Sequence, residues 1–372
     1  MNDNNIIDAM FAASNLEGKI IDGWQVKLKL PRPDKSQGES GGNFSICYIV
    51  EKDGKEFFMK VLNYQNVVFP ASLSGLTLPE YMERALKEFN YEKNLSRYCK
   101  DKRISKVVVY EASGEVELKE FQFPTVSYIV YEKANGNIRK FIEFSKKLEF
   151  SARVNTLSEK LRSLRDVATG LSNLHRNDIT HQDLKPSNIM EFGNESKIGD
   201  LGRSLCFDEN IECPYPATTF HGDWTYAPIE AIFGYLLSDI RERLCQMDNY
   251  TLGGLISYYL TGMSFNALMN MNLPIDMLQM RKMGLKYEDV KIDLTNAFEL
   301  SLQILRDEIP LDSIREDIVK IVEYLCNPNP EKRGHPINLS ATNKIPNYDL
   351  QRTITELDVA LQKAKLELLK MK

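Results

Sequence analysis

The sequence predicts an α+β protein with two lobes, a first lobe rich in antiparallel strands and a second lobe rich in helices. Short apolar runs typical of strands recur before residue 134, and apolar residues at a helical period dominate after residue 135. A chain of 372 residues buries about three quarters of its unfolded surface, enough for one large two-lobed domain. A binding site is expected in a cleft where the lobes join, near residues 133–137.

The composition indicates which kinds of partner to expect and in which cellular compartment the protein lies. The chain has 47 Lys and Arg against 52 Asp and Glu, so its formal charge is −5 and no nucleic-acid partner is expected. Its six cysteines show no spacing typical of zinc or disulfides. No stretch reaches the roughly 18 apolar residues that a membrane span needs, and the N-terminus lacks the features of a signal peptide. These observations predict a cytoplasmic protein without a membrane span.

The first lobe is predicted to begin with a hairpin that follows a glycine-rich bend. The alternating run WQVKLKL covers residues 24–30, and a cluster of Pro, Gly and Ser separates it from FSICYIV at 44–50. Lys52, Asp53 and Gly54 predict a turn before the strand FFMKVL at 57–62.

One helix is predicted to interrupt the strands of this lobe. Apolar residues recur at a helical period between Leu78 and Cys99, and two further strands are predicted from residues 107 and 126. We therefore place an N-terminal extension at 1–22 and the first lobe at 23–134.

The second lobe is predicted at 135–338, with helices over LSEKLRSLRDVATGLSNLH and TLGGLISYYL. The stretch 179–203 differs, because short apolar runs alternate there with His, Asp, Asn and Gly.

A separate amphipathic helix is predicted at 347–372. Its apolar stripe has heptad spacing: Leu350, Ile354, Leu357, Leu361, Ala364, Leu368 and Met371. The stripe favours packing against the chain's own domain, and a homodimer through this helix is the alternative.

The segment ITHQDLKPSNIM, residues 179–190, contains the side chains with the clearest chemical meaning. Asp183 can orient a hydroxyl group, while Asn188 and the later Asp200 offer oxygen ligands for a hard divalent cation. The pattern HxDxKxxN followed by DxG resembles the catalytic loop and metal-binding turn of the eukaryotic-like serine/threonine protein kinase family. The HQD and DLG variants are more similar to prokaryotic or viral members.

The resemblance implies a two-lobed protein kinase fold, ATP and Mg²⁺ as cofactors, and protein substrates. It implies that Asp183 orients the acceptor hydroxyl and that Lys185 neutralises the transferring phosphoryl group. Asn188 and Asp200 are then the magnesium ligands.

The resemblance also implies a nucleotide clamp in the first lobe. Lys60 in FFMKVL resembles the strand lysine that holds the ATP phosphates. Its partner is a glutamate on the following helix; Glu92 is preferred because of its distance from the next strand, and Glu88 remains the alternative.

Residues 40–48 resemble the glycine-rich loop that covers the phosphates, with serines replacing two of the glycines. The positions assigned to this loop are Gly42, Phe44, Ser45 and Cys47. Tyr131 is placed beside the adenine, and the backbone of Glu132 to Ala134 is expected to bond to it.

Three further residues match structural positions of the family. Glu230 and Arg333 are implied to form a buried ion pair, and Asp248, at the start of a central helix, is implied to brace the catalytic loop. His175 and His335 are expected to be surface or helix-end residues rather than metal ligands.

Two departures from the family pattern affect the acceptor and regulation. Lys185 is the serine/threonine form, whereas Asp223 replaces a threonine common in that class. Gln182 replaces the arginine that pairs with a phosphorylated activation segment, which predicts activity without that phosphorylation.

Two other functions compete with a protein kinase. A pseudokinase would bind ATP without catalysis, and a small-molecule phosphotransferase would share the Asp183 and Asp200 chemistry. The retained Lys60, Asp183 and Asp200 argue against the first alternative, and Lys185 with the run Tyr226 to Glu230 argues against the second.

Overall fold

The computed structural model describes residues 7–31, 45–70, 75–147, 154–340 and 345–371. It divides into two compact units. The first contains residues 1–135 and 209–214, and the second contains residues 136–208 and 215–372.

The first unit is built on a six-stranded antiparallel sheet in the order β1-β2-β3-β4-β6-β5. The strands are β1 (Ile20–Ile21), β2 (Trp24–Lys29), β3 (Ser45–Lys52), β4 (Lys55–Leu62), β5 (Tyr110–Glu117) and β6 (Thr125–Glu132). Helices α1 (Tyr64–Val68) and α2 (Leu78–Asp101) lie between β4 and β5. The antiparallel, strand-rich class predicted for this part of the chain is confirmed.

The predicted turn between β3 and β4 is a two-residue hairpin. Lys52 pairs with Lys55, and the intervening Asp53 and Gly54 have φ values of 53° and 75°. Two successive positive φ angles are what a tight hairpin turn needs, and Asp-Gly adopts them readily. The turn fixes the register that places Cys47 opposite Lys60.

One predicted strand is displaced. The sequence predicts it from residue 107, whereas β5 begins at Tyr110 and continues through polar residues to Glu117. Tyr110 pairs with Tyr131, one residue before β6 ends, and Glu132, the last residue of β6, donates to Val109 O at 3.0 Å, so the pairing with β6 is used up at this point. Cross-strand pairing, not local apolarity, sets this boundary.

The described part of the predicted N-terminal extension, residues 7–22, packs into the first unit. Ala12, Ala13 and Leu16 are buried against one face of the sheet, and β1 pairs with β2. The hydroxyl of Tyr48 donates to Ala13 O at 2.8 Å. Helix α2 contributes Ala85 and Phe89 to a second cluster, with Leu62 and Ile129.

The second unit is mainly helical and has two small sheets. Its strands are β7 (Gly136–Asn137), β8 (Ile179–Thr180), β9 (Ile189–Phe192), β10 (Glu195–Ile198) and β11 (Leu205–Cys206). The order is β10-β9-β7 in one sheet and β11-β8 in the other.

The helices confirm the helical class predicted for this part of the chain. They are α3 (Ile138–Lys146), α4 (Leu157–Arg176), α5 (Ile229–Phe233), α6 (Ile240–Thr261), α7 (Phe265–Met271), α8 (Met277–Lys282), α9 (Tyr287–Glu308), α10 (Asp312–Leu325) and α11 (Gln351–Lys370). Within the described ranges, none of the helices has both the length and the hydropathy that crossing a membrane requires.

The central helix α6 begins earlier than its motif indicates. The sequence places Asp248 at the start of this helix, but α6 begins at Ile240 because the side chain of Asp239 caps it, accepting from Glu242 N at 2.7 Å. Asp248 therefore lies in the middle of α6, where it is fully buried.

The C-terminal helix α11 packs on α4 and α10. Leu357, Leu361 and Ala364 of the apolar stripe are buried within the chain itself. A homodimer through α11 stays a prediction, and it would have to use the exposed side of the helix, which carries Val359 and Leu366.

Candidate active site

The loop between β8 and β9 carries Asp183, Lys185 and Asn188, and a fourth predicted site residue, Asp200, follows β10. Asp183 Oδ2 lies 2.9 Å from Lys185 Nζ and accepts from Asn188 Nδ2 at 3.2 Å. Asp183 Oδ1 accepts the backbone N–H of Asp223 at 2.9 Å. Asp200 is close enough for its charge to act on Asp183.

The electrostatics of Asp183 suit a proton acceptor. Burial raises the pKa of its carboxyl group, because the charged form is poorly solvated there. The Lys185 ammonium opposes this rise, while the charge of Asp200 adds to it. A carboxylate held by three donors and with a raised pKa is well oriented and comparatively basic.

The oxygen atoms of Asn188 and Asp200 fit a hard divalent cation. Asn188 Nδ2 donates to the backbone O and to Oδ2 of Asp183, so the amide oxygen, which accepts a long bond from Ser187 Oγ at 3.4 Å, is the atom suited to a metal. Asp200 is exposed and has a left-handed φ of 58°. An amide and a carboxylate oxygen are the donor types that Mg²⁺ prefers.

His181 connects the catalytic loop to the turn before Asp200. Its Nε2 donates to Gly199 O at 3.1 Å, and its Nδ1 accepts from Asp183 N at 3.3 Å. Gly199 N in turn donates to Asn188 O at 2.8 Å. The imidazole therefore braces the turn that carries Asp200.

Asp248 braces the same loop through two of its backbone N–H groups, as the resemblance implies. Its Oδ2 accepts His181 N–H at 2.7 Å, and its Oδ1 accepts Gln182 N–H at 2.8 Å. Gln182 has a φ of 63°, a strained conformation that these buried bonds help to maintain.

The partner of Asp248 could not be predicted from the sequence. His175 Nε2 lies 2.9 Å from Asp248 Oδ2, and both side chains are buried. Burial alone lowers the pKa of His175, but Cys245 and Asp248 raise it to about 10. His175 is at a helix end, as expected, yet nothing in the sequence near it indicates a buried ion pair.

The contact that Asp223 makes with Lys185 was likewise not predicted. Asp223 Oδ2 lies 3.8 Å from Lys185 Nζ, so Lys185 is flanked by two carboxylates. Asp223 Oδ1 accepts the N–H and hydroxyl of Thr225 at 3.0 and 2.7 Å. The departure at position 223 was visible in the sequence, but its position beside Lys185 depends on the fold.

In the first unit, Lys60 pairs with Glu92. Lys60 Nζ lies 2.7 Å from both carboxylate oxygens of Glu92, which is buried. Tyr131 lies beside them, and its hydroxyl donates to Glu92 Oε1 at 3.2 Å. Glu88 instead accepts from Arg84 at 2.9 Å, so the structure pairs the preferred glutamate with Lys60.

The remaining nucleotide positions are only partly described. Gly42 and Phe44 lie outside the described residues. Ser45 is the first residue of β3 and buried, and Cys47 is half-buried opposite Lys60. Glu132 ends β6, and its N–H donates to Val109 O at 3.0 Å; Ala134 follows and is half-buried. A ligand at Glu132 would therefore meet its carbonyl group.

The ion pair implied for Glu230 and Arg333 is present. Arg333 donates to the two carboxylate oxygens of Glu230 at 2.6 and 2.8 Å, and both side chains are fully buried. Its guanidinium also donates to Asn327 O and Gln246 O. Arg333 thus ties the start of α5 to α6 and to the chain after α10.

The known proteins that are similar to this chain are protein kinases. Residues 40–342 match the protein kinase domain model. The mitosis inhibitor protein kinase wee1 of Schizosaccharomyces pombe is 26% identical over 84% of this chain and 31% of its own length. The serine/threonine-protein kinase/endoribonuclease IRE1 of Oryza sativa is 28% identical over 47% of this chain and 17% of its own length.

A third relative, the serine/threonine-protein kinase SSN3 of Candida albicans, is 25% identical over 59% of this chain and 33% of its own length. The chain therefore spans between about a sixth and a third of the length of these relatives. Since the domain model matches most of the chain and the Asp183 loop has the geometry described above, the protein belongs to the protein kinase family.

Proposed function

We propose that the protein is an ATP-dependent serine/threonine kinase that phosphorylates protein substrates and autophosphorylates. The observation that carries the proposal is the arrangement at Asp183, whose carboxylate is oriented by Lys185, Asn188 and the N–H of Asp223. A buried carboxylate with a raised pKa can accept the proton of a hydroxyl group as the hydroxyl attacks phosphorus.

Lys185 supports the choice of phosphoryl transfer. Its ammonium group is held beside Asp183 and can neutralise charge that accumulates on the transferring group. Lysine at this position, two residues after the aspartate, favours serine and threonine as acceptors.

Asn188 and Asp200 would hold magnesium through one amide and one carboxylate oxygen. When bound, the metal neutralises phosphate charge. Lys60, oriented by Glu92, would bind the nucleotide phosphates in the first unit. Thr218 and Thr219 are the proposed autophosphorylation sites, and Thr219 is exposed.

The test compares phosphate transfer from labelled ATP with Mg²⁺ by wild type, Asp183→Asn and the control Asp293→Asn. Asp293 is exposed on α9, so its variant keeps the fold and the site intact. Loss of the proton acceptor is expected to lower kcat by about 10²–10⁴, whereas the control should match wild type.

Phosphate on serine or threonine of protein, from wild type and the control alone, supports the proposal. Phosphate on tyrosine would overturn the acceptor assignment. Nucleotide binding without transfer by any variant would favour a pseudokinase, and transfer only to a metabolite would favour a small-molecule phosphotransferase.

A further inference from the structure

The side chain of Gln182 cannot order the activation segment, residues 200–230, by binding a phosphate group. The Gln182 side chain is fully buried, and its amide nitrogen donates to Leu244 O at 3.0 Å and to Asp248 Oδ1 at 3.2 Å. A neutral amide used in this way offers no charge to a phosphate. Another contact must therefore tie the segment to the catalytic loop.

Tyr215 links the middle of the segment to its first turn, Leu201–Arg203, and from there the contacts lead to the catalytic loop. Its hydroxyl donates to Gly202 O at 2.5 Å and accepts from Arg203 Nη1 at 3.2 Å. The Arg203 guanidinium carbon lies 5.3 Å from the centre of the Tyr215 ring, within the range of a cation–π interaction. The ring is buried. Gly202, Arg203 and Tyr215 are named the Tyr215 clamp.

The clamp continues into the turn that precedes Asp223. The ring of His221 lies 4.9 Å from that of Tyr215, and His221 Nε2 lies 2.8 Å from Pro216 O. Ala217 O accepts from Arg243 Nη2 at 2.7 Å, which fastens this stretch to α6.

The end of the segment then reaches Asp183 directly. A side chain at Gly222 would collide with Gln182 O, so the backbones approach here as only glycine permits. Asp223 N–H follows and donates to Asp183 Oδ1. Trp224 is held in place by Arg281, whose guanidinium carbon lies 3.9 Å from its ring centre.

We infer that Tyr215 is a positioning residue that orders the activation segment through the Tyr215 clamp without any phosphate. The inference rests on the proposed function for its catalytic consequence. The chain of contacts from Gly202 through Tyr215 to Asp223 has a site residue at each end. Gly202 belongs to the turn of Asp200, and Asp223 orients Asp183. A hydroxyl with two partners and a buried ring supply contacts that other members would obtain from a phosphate and a basic side chain.

The experiment measures amide hydrogen exchange and kinetics of Tyr215→Phe after phosphatase treatment. Tyr235→Phe is the control, because it also removes a hydroxyl hydrogen bond, to Glu331 Oε1 at 2.6 Å, and that acceptor lies outside residues 200–230. Exchange in residues 200–204 and 215–224 should be about three- to tenfold faster in Tyr215→Phe, as loss of one or two hydrogen bonds implies. The control should match wild type there.

Arg203→Met is a second variant that leaves Tyr215 unchanged. It should accelerate exchange in the same two stretches, so the inference remains testable if Tyr215→Phe does not fold. In both variants kcat should fall by a similar factor while the KM for ATP stays within about twofold, since positioning of Asp183 is what changes. Equal exchange in Tyr215→Phe and Tyr235→Phe would overturn the inference.

The exchange measurement needs no nucleotide and no catalysis. Faster exchange in an inactive protein would support the clamp while contradicting the proposed kinase activity. Slow exchange in both clamp variants of an active kinase would contradict the clamp alone. The inference would also be overturned if the wild-type protein showed slow exchange only when the segment carries phosphate.

Discussion

The ammonium group of Lys185 lies 2.9 Å from the carboxylate of Asp183, and the second carboxylate at Asp223 is 3.8 Å from the same nitrogen. Burial raises the pKa of Asp183, and the charge of Lys185 limits that rise. Lys185 therefore lowers the pKa that burial raises at Asp183, and with it the pH below which this carboxyl group is protonated.

Lys185→Met is predicted to shift the pH profile of kcat/KM and also to lower its maximum value. Without the ammonium charge the pKa of Asp183 rises further, so the ionised carboxylate is lost at a higher pH and the acidic limb shifts upward. Activity should also fall, by about 10²–10³. Steady-state kinetics between pH 5 and 9 would measure both effects. The exposed Lys363→Met is the control, and an unchanged acidic limb would contradict the prediction.

Removing His175 is predicted to change the pH dependence of stability. The pKa of His175 is raised from 6.5 to about 10, so its contribution is complete below pH 6.5 and is lost as pH rises through about 10. His175→Gln leaves Asp248 without its buried partner, which should lower the free energy of unfolding by roughly 3–5 kcal/mol at pH 6. Urea unfolding at several pH values would test this.

The control for His175 is His335→Gln, because His335 pairs with the partly exposed Glu356. Wild type and His335→Gln should lose stability between pH 7 and 10, while His175→Gln should show a flatter curve. Parallel curves for all three proteins would show that His175 does not carry the charge.

The two glutamates of α2 give a sharp test of the nucleotide clamp. Glu92→Gln removes the charge that holds Lys60, so it should lower kcat/KM for ATP by about 10²–10³, comparable to Lys60→Met. Glu88→Gln is matched in chemistry and lies one turn away, beside Arg84. It should change kcat/KM by less than about twofold. Equal losses in both glutamate variants would contradict the assignment of Glu92.

The buried pair of Arg333 and Glu230 is predicted to be essential for stability. Arg333→Met leaves the Glu230 carboxylate buried and unpaired, at a cost of roughly 3–5 kcal/mol in unfolding free energy. Arg333→Lys keeps the charge but loses the two-point contact, so its effect should be smaller. Arg306→Met, which removes a partly exposed arginine paired with the exposed Glu316, is the control and should cost much less. Denaturant unfolding of the three variants would decide.

The sequence by itself determined the family, the order of the elements and the identity of the charged residues at the site. Three of the site residues are close in sequence. Asp183, Lys185 and Asn188 lie within six residues, so their separation in sequence already limits their separation in space. Likewise, Asp53 and Gly54 specify the β3–β4 hairpin through their own backbone preferences.

Only the tertiary structure decided which distant groups meet these residues. His175 and Asp248 are 73 residues apart, and Asp183 and Asp223 are 40 apart. No local pattern encodes such pairs, because burial brings them together and the low polarity of the interior then requires each charge to have a partner. The start of β5 at Tyr110 and of α6 at Ile240 were decided similarly, by the partner strand and by the Asp239 cap.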